Sequence, residues 1–199
     1  MRESRQPLSG PALLSALCGA FDQAAITYCV IGGVAMVLHG LDPETQDIDL
    51  LIRTPSQSLA DALQRILARY DLSALKFPMG VSSLFDDPFV EALSKNHAGL
   101  LVVRHTHNKV SRDEPLVDLI YSLRPPLFVS AIIHRAVQKP SLGPAGQMIC
   151  VACLQDLIEM KHAAIAAPDR SAEKRSGDQR DLEQLEALLA QEHRPLETN

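Results

Sequence analysis

Apolar residues recur along this chain with two different spacings, and the spacing predicts most of its helices and strands. Stretches with apolar residues three and four positions apart predict helices, and short leucine-rich or β-branched runs predict strands. The predicted helices cover residues 11–25, 34–39 and about 56–70, and the predicted strands cover 26–31, 47–52, 99–106 and 116–121. Strands and helices that alternate in this way predict an α/β (α+β) fold.

The rest of the chain predicts fewer regular elements. Residues 71–97 show no clear period and suggest one short helix near Pro88 to Leu93. Residues 123–144 contain four prolines and predict an irregular linker with one helical turn around 132–137. A helix from about Leu154, a charged loop over 168–180 and a last helix over 181–191 follow. We therefore expect a core over 11–140 and a C-terminal helical segment over 148–192, packed together as one compact domain.

Two acidic residues stand out in the second predicted strand. Asp47 and Asp49 are two positions apart, so their side chains point to the same face of a strand. Two like charges held side by side repel each other unless a cation lies between them. Magnesium takes carboxylate oxygens and binds nucleotide phosphates at its open positions. The pair therefore predicts a metal–nucleotide site.

A glycine pair lies between the first strand and the next helix. Gly32 and Gly33 let the backbone turn sharply and approach a ligand closely. The N–H groups of the helix that follows favour an anion such as a triphosphate. An ordinary strand-to-helix turn is the alternative interpretation.

Asp118 lies at the centre of the apolar run LVDLIY. A buried acid is costly unless it is paired or bound to a metal, which makes Asp118 the candidate third carboxylate. The alternative is an acid that faces solvent on a half-exposed strand.

Composition limits the kinds of binding partner and the cellular location that we expect for this protein. A net charge of −5 disfavours a broad surface for polyanions. No apolar run is long enough to span a membrane, and the N-terminal stretch is a poor signal peptide, so we expect a cytoplasmic protein. Cys150 and Cys153 form a C-x-x-C motif without a second ligand pair, which favours two small apolar residues over a zinc site.

Taken in order, the glycine pair, the variable loop and the motif Thr45-x-Asp47-x-Asp49 resemble the signature of the nucleotidyltransferase superfamily that includes DNA polymerase beta. The pattern is most similar to small bacterial members, among them abortive-infection toxins and aminoglycoside nucleotidyltransferases. The resemblance implies a small mixed sheet flanked by helices, with a C-terminal helical segment that completes the cleft. It also implies catalytic and metal-binding roles for the three acids, with two magnesium ions and an NTP substrate: Asp47, Asp49 and Asp118.

The C-terminal stretch resembles the same proteins. Their pattern places a lysine after D-L-I and two acids at the start of the last helix, which here are Lys161, Asp178 and Asp181. The resemblance implies that Lys161 contacts the nucleotide phosphates and that the two acids cap the helix or order basic residues. A surface lysine is the alternative for Lys161. The implied nucleotide-binding residues are Gly32, Gly33, Thr45 and Lys161.

Two positions depart from the family pattern. Pro43 stands where members often carry an arginine, and Gly177 stands where they commonly carry a lysine. The implied reaction is transfer of a nucleoside monophosphate to an acceptor hydroxyl or phosphate, with release of pyrophosphate. The acceptor stays open between tRNA, a protein and a small molecule. The alternatives are a toxin with an antitoxin partner, which would use the same chemistry, and a non-catalytic nucleotide-binding module.

Overall fold

A computed structural model describes residues 10–45, 47–53, 57–70, 72–74, 100–105, 117–121, 123, 127–143 and 146–193. The short helix suggested near Pro88 to Leu93 lies outside these ranges. In the described ranges, no helix is both long and apolar enough to cross a membrane.

Six helices lie in the described part of the chain. They are α1 (Gly10–Gln23), α2 (Gly32–Leu38), α3 (Gln57–Arg69), α4 (Val129–Arg135), α5 (Leu154–Ala166) and α6 (Ala172–Glu192).

Seven strands of the described ranges form one mixed sheet, and a mixed sheet is what the resemblance implied. They are β1 (Tyr28–Ile31), β2 (Ile48–Ile52), β3 (Leu72–Ala74), β4 (Leu100–His105), β5 (Val117–Ile120), β6 (Val137–Pro140) and β7 (Met148–Val151), in the order β3-β4-β5-β2-β1-β7-β6. β1 runs antiparallel to β2 and parallel to β7, and β2 runs parallel to β5.

The central strands are short and mostly buried. All four residues of β1 are buried, because each carries an apolar or sulfur side chain that packs on one of the two sheet faces. Among the described residues, one apolar cluster links the sheet to the helices, including residues of α1, α5 and α6. Leu185 of α6 is completely buried in this cluster. The proposed division into residues 11–140 and 148–192 stays a prediction.

Three expectations about elements are wrong. Asp47 lies just outside β2, which begins at Ile48. The stretch 123–144 is not an irregular linker, because it contains both α4 and the edge strand β6. Most of the expected charged loop over 168–180 belongs to α6, whose N-cap Ser171 accepts a hydrogen bond from the backbone N–H of Lys174. Beyond these, the sheet contains β3 and β7, for which the sequence analysis predicted no strand.

Candidate active site

Asp49 and Asp118 face each other on neighbouring strands. They are direct register partners in the parallel pair of β2 and β5, so their side chains lie on the same face of the sheet. On the other side, Asp49 pairs with Ile31, the last residue of β1 before the glycine turn. Strand pairing therefore brings two of the three predicted acids and the glycine pair together.

Gly32 touches this acid pair directly. Its φ is +65°, which favours glycine, and a Cβ at this position would overlap the carboxylate of Asp49. Similarly, a Cβ on Gly33 would overlap the side chain of Thr45, whose hydroxyl donates a 3.5 Å hydrogen bond to the backbone carbonyl of Asp47. The two glycines thus let α2 begin directly against Asp49 and the loop that carries Thr45.

Asp47 occupies a different position from the other two acids. It is exposed, one residue before β2, whereas Asp49 and Asp118 are half-buried on their strands. Within the described ranges, no three His, Cys, Asp or Glu side chains are already grouped closely enough to hold a metal ion. The structure therefore assembles the Asp49–Asp118 pair and leaves Asp47 beside it.

The acids disfavour one another's charge. Burial, followed by repulsion from Asp118 and Asp47, raises the pKa of Asp49 to about 7, against an opposing effect of Lys161 and Arg170. Burial and repulsion from Asp47 raise the pKa of Asp118 to about 6, and Lys174 acts in the opposite direction. Negative charge accumulates here without enough positive charge to balance it.

Lys161 belongs to an ion-pair network between α5 and α6. Its Nζ donates to Oδ1 of Asp178 at 2.9 Å and to Oδ2 of Asp181 at 2.6 Å. Arg170 reaches the other oxygen of Asp178, with Nε at 2.7 Å from Oδ2. The side chain of Asp178 is only 4% exposed. Asp178 and Asp181 were expected either to cap the last helix or to order basic residues. Their contacts with Lys161 and Arg170 match the second role.

With this geometry, the chain can be compared with solved structures. It superposes on the crystal structure of an antigenic nucleotidyltransferase-like protein from Paracoccidioides brasiliensis with a TM-score of 0.58. The two sequences are 19% identical, and the match covers 92% of this chain and 79% of the fungal one. This chain has the nucleotidyltransferase fold.

Two further solved structures match at lower TM-scores. The structure of ANT(2'')-Ia in complex with adenylyl-2''-tobramycin matches with a TM-score of 0.49 and 15% identity, over 91% of this chain and 95% of that one. The lincomycin-bound lincosamide antibiotic adenylyltransferase LnuA matches with a TM-score of 0.49 and 12% identity, over 92% and 99%. The fold assignment rests on the fungal structure alone. No family model and no curated protein matches the sequence.

The carboxylates of Asp49 and Asp118 are suitable ligands for a hard divalent cation. Oδ1 of Asp118 is buried and has no hydrogen-bond partner among the described residues. An unpaired buried carboxylate oxygen is costly, and a cation would satisfy it. The same cation would favour the charged form of Asp49, against the burial and the acid–acid repulsion that together raise its pKa.

Sequence reasoning missed the structural roles of two residues near the site. His39, at the end of α2, donates from Nε2 to the carbonyl of Ala152 at 2.8 Å and so ties α2 to the segment before α5. Arg170 donates from Nε to Oδ2 of Asp178 at 2.7 Å, a contact that the sequence analysis did not predict. Ala152 is distant from His39 along the chain, and Asp178 is eight residues after Arg170. No local sequence pattern therefore identifies either contact.

Proposed function

We propose that this chain is a metal-dependent nucleotidyltransferase. An acceptor oxygen attacks the α-phosphorus of an NTP and forms a new P–O bond. The bond from that phosphorus to the β-phosphate breaks, pyrophosphate leaves, and the acceptor carries the nucleoside monophosphate. The observation that carries the proposal is the registered pair Asp49–Asp118, against which Gly32 packs.

Asp47, Asp49 and Asp118 are the residues that would hold two magnesium ions. When bound, magnesium supplies positive charge that activates the acceptor oxygen and neutralises the pyrophosphate that leaves. Asp49 and Asp118 already share one face of the sheet, and exposed Asp47 lies one residue before β2. Asp118 would share the first magnesium ion and help take the proton of the acceptor hydroxyl.

The remaining predicted residues bind the nucleotide in this proposal. Gly32 and Gly33 keep the turn before α2 free of side chains, so that a triphosphate can approach the backbone. Thr45 packs on Gly33 and adds a hydroxyl at the same turn. Lys161 supplies positive charge for the phosphates, because its ammonium acts electrostatically on Asp49.

The acceptor stays open between tRNA, a protein and a small molecule. A toxin that uses this chemistry, with an antitoxin as partner, is one version of the proposal. The cytoplasmic location expected from the sequence also stays a prediction.

One observation favours a second candidate, a nucleotide-binding module without catalysis. Pro43, which stands in place of the family arginine, is buried, so that position supplies no charge to a bound phosphate. A site short of positive charge could bind an NTP weakly and transfer nothing.

The decisive experiment follows label from an NTP. Each α-labelled NTP is incubated with magnesium, total tRNA, cell lysate and either the wild type or Asp49→Asn. We expect label in an RNA band, a protein band or a small-molecule fraction, reduced by about a hundredfold or more in the variant. Asp42→Asn is the matched control, because Asp42 is an exposed acid on the loop before β2.

Two results would contradict the transferase. Magnesium-dependent NTP binding without any transfer would favour the binding module. Transfer that is unchanged in Asp49→Asn would refute the assignment of the site.

A further inference from the structure

Asp178 is a buried acid placed between two cations. Lys161 bonds to its Oδ1, and Arg170 bonds to its Oδ2 through both Nε at 2.7 Å and Nη2 at 2.6 Å. The carboxylate is 4% exposed, whereas the side chains of Lys161 and Arg170 are 17% and 32% exposed. The buried carboxylate of Asp178 therefore holds both cationic groups in place, while part of each side chain stays exposed to solvent.

Both cations keep N–H groups for a ligand. A lysine ammonium has three donors, and Asp178 and Asp181 take two of those on Lys161. An arginine has five donors, and Asp178 takes two of those on Arg170. The donors that remain on the two side chains can bind phosphate oxygens without breaking the network.

The pair lies within electrostatic reach of the acids. Lys161 and Arg170 both lower the pKa of Asp49, against the burial and the neighbouring acids that raise it, and Asp49 is the register partner of Asp118. An NTP bound to those acids through magnesium would therefore have its phosphates next to two cations.

We propose that Asp178 is a positioning residue that holds Lys161 and Arg170 side by side as a two-cation clamp for the triphosphate. Arg170 thereby supplies phosphate-binding charge that positions 43 and 177 lack in this chain. The inference rests on the proposed function, because it requires an NTP in the site.

A purely structural role for the network makes a different prediction. If the ion pairs only fasten α5 to α6, Asp178→Asn would lower stability and leave phosphate affinity unchanged in the folded fraction. If Asp178 acts through the two cations, its substitution would weaken phosphate binding only while those cations are present. A double-mutant cycle separates the two roles.

The probe is inorganic tripolyphosphate with magnesium, measured by isothermal titration calorimetry on the full chain. It has no base or sugar, so the unknown base preference does not affect the result. We expect Asp178→Asn and Arg170→Gln each to weaken binding by about tenfold. In the Lys161→Gln/Arg170→Gln background, adding Asp178→Asn should have no further effect on affinity. Arg180→Gln is the control, because Arg180 lies on α6 and bonds only to Ser176 among the described residues.

The outcomes separate this inference from the proposed function. If the wild-type protein binds neither tripolyphosphate nor NTP, both the clamp and the proposed function are contradicted. Wild-type binding that is unchanged in folded Asp178→Asn would overturn only the positioning role. If Asp178→Asn does not fold, Arg170→Gln decides, because its side chain is partly exposed: unchanged affinity overturns the clamp, and a tenfold loss supports it.

Discussion

At the scale of single residues, Gly32 and Gly40 make a matched pair. Both have a positive φ, +65° and +89°, but a Cβ on Gly40 would meet nothing within 4 Å, whereas one on Gly32 would overlap Asp49. Gly40→Ala should therefore cost only the strain of the left-handed conformation, about 1 kcal/mol. Gly32→Ala should cost clearly more and displace the carboxylate of Asp49. Urea denaturation and the labelled-NTP assay measure the two effects.

The difference between the two variants is the informative quantity. We expect Gly40→Ala to keep full transfer activity, since its backbone strain lies away from the acids. Equal losses of stability and activity in the two variants would show that backbone strain, and not contact with Asp49, explains why Gly32 is a glycine.

The raised pKa of Asp49 predicts how stability depends on pH. Its folded pKa of about 7 lies above the ordinary value of 3.8, so between these pH values the folded state binds more protons than the unfolded state. Stability from this group is therefore lost as pH rises from about 4 to about 7. In EDTA, Asp49→Asn should stabilise the protein at pH 8, by up to about 4 kcal/mol, and should change it little at pH 4.

Thermal melting at several pH values tests this expectation, with Asp42→Asn as the exposed control. A variant that is more stable yet inactive would show that the acid pair is retained for function at a cost in stability. Parallel melting profiles of the wild type and Asp49→Asn across pH would contradict the raised pKa of Asp49 as a source of instability.

At the scale of elements, the sequence predicts strands well where the residues are mostly apolar. β1, β4 and β5 were predicted to within two residues at each end, because each lies in a short, largely apolar run. The expected linker over 123–144 failed because its prolines flank α4 and end the edge strand β6. Pro140 is tolerated there, since an edge strand has one side without a partner strand.

The first turns of α6 were wrongly predicted to be a loop. These turns are polar and charged, so no apolar period marks them as helical. Ser171 as N-cap with an acid, Glu173, in the first turn was a usable signal, and the buried Asp178 takes the place of an apolar residue on the inner face.

The candidate site was predictable in residue type but not in arrangement. An acid in an apolar strand identified Asp118, yet its pairing with Asp49 depends on strand order, which no local pattern fixes. The exposed position of Asp47 was not predicted for a second reason. Alternation of side chains along a strand does not show at which residue the strand begins.

At the scale of the whole molecule, the apolar cluster links the sheet to α6 and predicts one cooperative unfolding unit. Leu185 is fully buried on α6, so Leu185→Ala should cost about 2–5 kcal/mol. The chain has no tryptophan, and its three tyrosines, Tyr28, Tyr70 and Tyr121, all lie within residues 11–140. Tyrosine fluorescence therefore reports on the core segment alone, whereas far-UV circular dichroism reports on both segments.

If the two segments unfold together, a substitution on α6 must shift both signals equally. We expect Leu185→Ala to lower the urea midpoint of tyrosine fluorescence and of circular dichroism by the same amount. Glu183→Ala, an exposed position on the same helix, should change either midpoint little, within about 0.5 kcal/mol. A tyrosine midpoint that stays in place while part of the dichroism is lost earlier would mean that residues 148–192 unfold independently. Lys161, Arg170 and Asp178 would then lie on a separable unit, and phosphate binding would be lost before the core unfolds.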